Sequence, residues 1–142
     1  MPSLKFPYIP ETLISPITQK AIGTIYRPKI PVRLSYNHKV VPFPVESLID
    51  SGSDTNLFPA QWGQVAGINI KKGSFKQIVG IGNAAMHAYT HRVKLYIGTY
   101  SFNTDVDFGL TQQVPLLGRT GFFNQFSEVK FLEPEKKIIL TW

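Results

Sequence analysis

No cysteine occurs among the 142 residues. That excludes disulfides, thiolate metal sites and a cysteine nucleophile, and it leaves the redox compartment unread. No apolar run approaches the roughly 18 residues needed for a membrane span. The first residues also lack a basic-then-apolar leader pattern, and nothing assigns a compartment. Charge of one sign never accumulates. The formal net charge is +6, but Lys and Arg are dispersed, and the only doublets are Lys71-Lys72 and Lys136-Lys137. A nucleic-acid footprint needs clustered cations, so a solvated basic surface is expected and no nucleic-acid partner.

Proline is scarce except at one end. Six of the eleven prolines fall within residues 1–31 (Pro2, Pro7, Pro10, Pro16, Pro28 and Pro31). Proline fixes φ and removes a donor, so this stretch cannot hold a long helix. It reads as an extended arm or a set of edge segments over residues 1–30. From residue 31 to 142 short alternating or apolar runs follow, among them IPVRLSY, PVESLID, FKQIVGIG, MHAYTHRVKLYIG, YSFNTDVDFG, VPLLG, SEVKFL and KKIILTW. Gly, Asn and Pro separate them. Regular short strands with turn signals predict an all-β sandwich or barrel in one domain. Two short helices are expected. PAQWGQVAG has Pro59 at a first helical position and Gly67 as its stop. TGFFNQF has Thr120 as N-cap, with Phe122, Phe123 and Phe126 on one face.

The stretch LIDSGSDTNLFP carries the chemistry. Leu48-Ile49 reads as a buried strand leading into Asp50, and Ser51-Gly52-Ser53 reads as a tight turn before a second acid, Asp54. An acid at the end of a buried strand needs a partner or a use, because burying an unpaired charge is costly. An exposed Asx-turn is the plain alternative. About thirty residues on comes IVGIGN, a glycine-punctuated tip between two strand-like arms. Roughly thirty-five residues further comes VPLLGRTGFF, an apolar strand running into Gly118 and Arg119.

The ordered motifs LIDSGSDTNLF, IVGIGN and PLLGRTGFF resemble the retropepsin family, the retroviral-type aspartic proteases, over about residues 30–142. The resemblance implies a small closed β-barrel. Asp50 matches the catalytic aspartate, Ser51 the hydroxyl residue that bonds across to a partner loop, and Gly52 the glycine whose backbone approaches substrate. Asp54 matches the acid that holds substrate backbone and pairs with the arginine matched by Arg119. Val79, Gly80, Ile81 and Gly82 match the tip of a flap that closes over substrate, with Ile81 at its point. Leu116, Leu117 and Gly118 match the buried strand beside the active-site loop. Members work as homodimers, and this chain carries a single DSG. It departs from the family pattern at Thr120, where Asp or Asn is usual, at Val79 and Asn83, where glycine is usual, and at Ser53, where many members have alanine.

The chemistry is coherent without the family. Hydrolysis of a peptide bond by water needs a base for the water and an acid for the leaving group, and two carboxylates sharing a proton supply both. One chain offers one suitable acid, and a twofold axis supplies the second. The expected function is therefore an aspartic endopeptidase acting on extended polypeptides held in apolar pockets. It requires neither metal nor organic cofactor. A rival reading is a catalytically silent dimerisation or peptide-binding module. Ser53 is expected to donate to the Asp50 carboxylate and lower the working pH range. Asp54 and Arg119 are expected to form a buried ion pair, and KKIILTW an interfacial strand. His87 and His91 lie four apart, about 13 Å along a strand, which does not suit a shared metal. Asp105 and Asp107 read as solvated, and Trp62 and Trp142 as core or interface.

Overall fold

The computed structural model describes the backbone of residues 1–142 and every side chain except that of Ile81. Thirteen strands and one short α-helix follow the order of the sequence. β1 (Ser3–Pro7), β2 (Ile9–Ile14) and β3 (Ala21–Arg27) occupy the proline-rich start. β4 (Lys29–Tyr36), β5 (Lys39–Val40), β6 (Val45–Ile49) and β7 (Leu57–Pro59) lead to helix α1 (Ala60–Val65). Then come β8 (Ser74–Val79), β9 (Ala85–Ile97), β10 (Tyr100–Gly109), β11 (Leu116–Leu117), β12 (Glu128–Leu132) and β13 (Lys137–Thr141).

The main sheet runs β5-β4-β6-β11-β7-β10-β9-β8, and β4 also pairs with β9. That extra pairing closes six strands, β4-β6-β11-β7-β10-β9, into a barrel, with β5 and β8 as outer additions. Closure removes the open edges that a flat sheet would present. Alternation fills the interior. Ile30, Val32 and Leu34 from β4, Val93, Leu95 and Ile97 from β9, and Val106 and Phe108 from β10 are all buried. With period-2 geometry, each strand sends every second side chain inward. The fold is thus the small closed barrel that the sequence leads one to expect.

Helix α1 ends as expected. Gly67 adopts φ +89° just beyond it, a conformation glycine reaches without a Cβ penalty. Pro59 serves as the N-cap and not as the first helical residue. The second expected helix is reduced to one 3₁₀ turn, Phe123–Gln125. Thr120 does not cap it, because its backbone is bridged to Thr55 and Gly121 turns left-handed at φ +111°. The phenylalanines still converge, with Phe126 5.0 Å from Phe122, and Tyr100 stacks on Trp142 at 4.3 Å.

β13 is not an unpaired strand. It sits at the centre of a second sheet, β1-β13-β12, with Ile138 and Leu140 fully buried. Its expected role as an exposed interfacial strand is therefore corrected: both of its edges are occupied within the chain. β1 supplies one of them, and β2 and β3 form a separate ribbon on which Glu11 binds Lys29 and Arg27. Those two donors hold the Glu11 carboxyl below its usual range. β4 carries the chain through residue 30 without a break, so the expected change from arm to barrel falls inside a strand.

Tyr8 pins the start of the chain to the end. It is buried, and its hydroxyl donates to Glu133 Oε1 at 3.0 Å. Burial first, then that bond, push the phenol up from 10.0 to about 12, while Lys136 and Tyr8 hold the Glu133 carboxyl low. The raised phenol contributes its full stability below pH 10.0 and loses it as pH rises toward about 12. The depressed carboxyl contributes above its ordinary value of 4.5 and loses its contribution as pH falls. Urea midpoints of parent and Tyr8→Phe should therefore differ most between these limits, and the difference should shrink from pH 8 to pH 11.

Candidate active site

Asp50 stands one residue beyond β6, and β6 and β11 run parallel, with Leu117 opposite Ile49. The Asp50 N–H donates to the Leu117 carbonyl at 3.0 Å, which sets the height of the loop. The loop then folds back on its own acid. The Gly52 N–H donates to Asp50 Oδ1 at 2.9 Å. A Cβ at position 52 would lie 3.1 Å from the same oxygen, so glycine keeps one face of the carboxylate clear. Asp50 is half-buried, whereas Ser51 and Gly52 are exposed. An acceptor held by a backbone N–H at an open surface can meet both a substrate and a second carboxylate.

A second loop, Gly118–Gly121, is stitched to the first. The Arg119 N–H donates to the Ser53 carbonyl at 2.9 Å, and the Thr120 N–H to that of Asp54 at 2.8 Å. Gly118 lies so close that a Cβ there would fall 2.2 Å from the Thr55 carbonyl oxygen. Beneath both loops is Asn56, fully buried. Its Oδ1 accepts the Gly118 N–H at 3.0 Å, and its amide donates to the Asp105 carbonyl at 3.2 Å. A buried carboxamide with both ends bonded satisfies the rule that buried polar groups find partners.

Three expectations change at this site. The Ser53 hydroxyl donates to the Thr55 carbonyl at 2.7 Å and is not directed at the Asp50 carboxylate. Asp54 and Arg119 do pair, at 2.5 Å, but their side chains are 84% and 61% exposed in the single chain. The pair is thus a surface one. Asp107 is 2% exposed and far from solvated. It accepts from Thr90, Thr55 and Lys76 at 2.6, 2.6 and 2.9 Å. Asp105, by contrast, is exposed and meets Arg92 at 3.4 Å.

The β8–β9 hairpin stands over these loops and encloses a cleft of about 560 Å³ with Asp50 at its floor. Val79 and Gly80 line it, as do Ile78, Leu57 and Leu116. At the tip, Gly80 donates to the Ala84 carbonyl at 2.8 Å, and Gly82 and Asn83 take φ of +76° and +60°. Asn is among the few other residues that adopt this conformation readily, which explains how it stands where glycine is expected. The Ile81 side chain lies outside the described residues. Asp50, Ser51, Gly52, Ser53, Asp54, Leu117, Gly118 and Arg119 therefore converge in two joined loops, with Val79 and Gly80 facing them across a cleft. His87 does not join His91. It packs on Phe75, while His91 Nε2 lies 2.7 Å from the Ile70 carbonyl.

Sequence reading missed Asn56, Thr55, Lys76 and Asp107. One signal was available: Asn56 interrupts the approach to an apolar strand, where a polar residue needs a structural reason.

Two substitutions separate backbone fit from charge. Arg119→Ala removes an exposed pair and should change stability by no more than about 1 kcal/mol. Gly118→Ala forces a carbon into the Thr55 backbone and should cost about 2 kcal/mol or more. Urea denaturation of both variants checks the order. For Ser53→Ala the expected result is a less stable loop, by about 1 kcal/mol, from the lost bond to Thr55.

No protein-family model matches the chain, and no curated protein matches it. Solved structures do. The EIAV protease, solved as an inhibitor complex, aligns at 21% identity over 66% of this chain and 82% of its own, with a TM-score of 0.50. A retropepsin-like aspartic protease from Rickettsia conorii aligns at 15% identity over 98% of this chain and 92% of its own, with a TM-score of 0.60. Closed barrel, paired loops and overarching hairpin together give this chain the fold of the retropepsin-like aspartic proteases.

Proposed function

We propose that the protein is an aspartic endopeptidase that works as a homodimer, with one Asp50 from each chain. The observation that carries this reading is the placement of Asp50, half-buried at the floor of a cleft, its Oδ1 held by the Gly52 N–H. Two such carboxylates facing each other across a twofold axis cannot both ionise easily, so they share a proton. The ionised one takes a proton from water as the water oxygen bonds to the substrate carbonyl carbon. The protonated one gives its proton to the carbonyl oxygen. Collapse of the resulting diol breaks the C–N bond, and a proton passes to the departing amine.

The surroundings suit an extended polypeptide. The β8–β9 hairpin acts as the flap, with Val79, Gly80, Ile81 and Gly82 at its tip, and Asp54 offers an acceptor to substrate backbone N–H groups. Such strand-like binding takes affinity from main-chain hydrogen bonds and specificity from alternate side chains. Val79, exposed in the single chain at the cleft, adds apolar surface that pairing would cover. Ser51, exposed beside Asp50, supplies the hydroxyl for a bond across the proposed axis.

Asp50→Asn should leave a folded protein with no turnover of unfolded polypeptide, because the amide cannot act as base. Retained cleavage would remove Asp50 from the role. Specific activity should fall on dilution in step with the loss of dimer in sedimentation velocity, since a lone subunit holds half a dyad. A fully active monomer at all concentrations would defeat the two-chain mechanism. The pH–rate profile should be bell-shaped, with limbs that belong to the pair. Those limbs should not move in Ser53→Ala, whose hydroxyl is committed to Thr55.

A further inference from the structure

Among the described residues, the cleft is lined by three carboxylates, Asp50, Asp54 and Asp107, and by one cation, Lys76 on β8. β8 alternates: Phe75, Gln77 and Val79 are exposed, while Lys76 and Ile78 turn inward. On β10, Val106 and Phe108 are buried in the barrel core, so Asp107 faces the other way, toward Thr90, Thr55 and Lys76. The carboxylate accepts three hydrogen bonds there. Oδ1 accepts from Thr90, and Oδ2 accepts from both Thr55 and Lys76. At 2% exposure it presents nothing to a ligand, whereas the Lys76 side chain is 41% exposed. An ammonium carries three donors, and Asp107 takes one. The accessible group of the pair is therefore a cation with donors to spare.

The pair is also a junction. Thr55, Lys76 and Asp107 line the Asp50 cleft and equally a neighbouring cavity of about 190 Å³, which continues toward Arg92, Thr104 and Thr120. A side chain entering from the cleft meets Lys76 first and has polar space beyond it.

We infer that Lys76, held in place by Asp107, which Thr55 and Thr90 anchor in turn, is a specificity-determining residue. It selects substrates with an acceptor-bearing side chain, Glu or Gln, at one position flanking the scissile bond, and it disfavours Lys and Arg there. The inference rests on the peptidase reading above and deepens it. Asp107 is the buried half of the pair, and removing Lys76 alone would leave that carboxylate without its cation. A substrate ammonium would meet like charge at this wall, and repulsion of that kind is an effective means of rejection.

The test uses oxidised insulin B chain to map a cleavage site. Matched decapeptides around that site then carry Leu, Gln, Glu or Lys at each flanking position in turn. For the parent protein, kcat/KM at one position should favour Glu and Gln over Lys by about tenfold or more. Lys76→Arg should keep the preference. Lys76→Met with Asp107→Leu removes both charges without stranding either, and should bring Glu and Leu peptides to within about twofold of each other. The same peptides are titrated onto Asp50→Asn by fluorescence anisotropy, where the Glu peptide should bind tighter than the Lys peptide. Cleavage with no discrimination against Lys at any position overturns the role of Lys76 and leaves the peptidase reading intact. Selective binding without turnover by the parent overturns the peptidase reading and keeps the role of Lys76. Absence of both turnover and selective binding overturns both.

Discussion

The molecule depends on a close approach of two backbones. Gly118 sits against the carbonyl of Thr55 at a separation that leaves no room for a side chain, and Asn56 clamps the contact from below. Without that approach, β11 could not lie between β6 and β7. The Leu117 carbonyl would then not meet the Asp50 N–H, and the barrel would lack the strand that completes its circuit. The same contact closes the fold and fixes the carboxylate. The geometry of the Asp50 loop and the stability of the barrel are thus one constraint, carried by a glycine and a buried amide.

Much of this was legible in the sequence, and for definite reasons. The barrel strands announced themselves through period-2 burial, as in Ile30, Val32 and Leu34. The Asp50 loop was legible because an acid directly after Leu48-Ile49 breaks an otherwise simple pattern. Gly67 and the β8–β9 tip were legible because few residues other than glycine suit their backbone. What was not legible depends on contacts distant in the chain. Asp107 looked like a solvated acid on an alternating strand, and only Lys76, Thr55 and Thr90 from three other segments make it a buried one. The Ser53 hydroxyl had two acceptors within reach, and local turn geometry gave it to Thr55. Thr120 has the chemistry of a helix cap, but the bridge to Thr55 claims its backbone first.

The cleft divides its labour by location. At the floor, Asp50 Oδ1 is held by one backbone donor, the Gly52 N–H. At the side wall, the buried Asp107 is held by Thr55, Thr90 and Lys76, and Lys76 stays partly exposed. Val79, on the hairpin side of the same cleft, is exposed. The charged and polar groups thus share the cleft lining with apolar Leu57, Ile78 and Leu116.

The three-stranded sheet brings together parts of the chain that are far apart in sequence. β13 lies between β1 and β12, and the Trp142 N–H donates to the Pro2 carbonyl at 3.1 Å. A pairing between the third and the 141st residues has nearly the greatest contact separation this chain permits, and such contacts form late because the intervening loop must close first. During synthesis β1 emerges early and must wait for β13, with its partner edge open in the meantime. Until β13 arrives, that open edge is what a partly folded chain presents to other strands, chaperones or proteases.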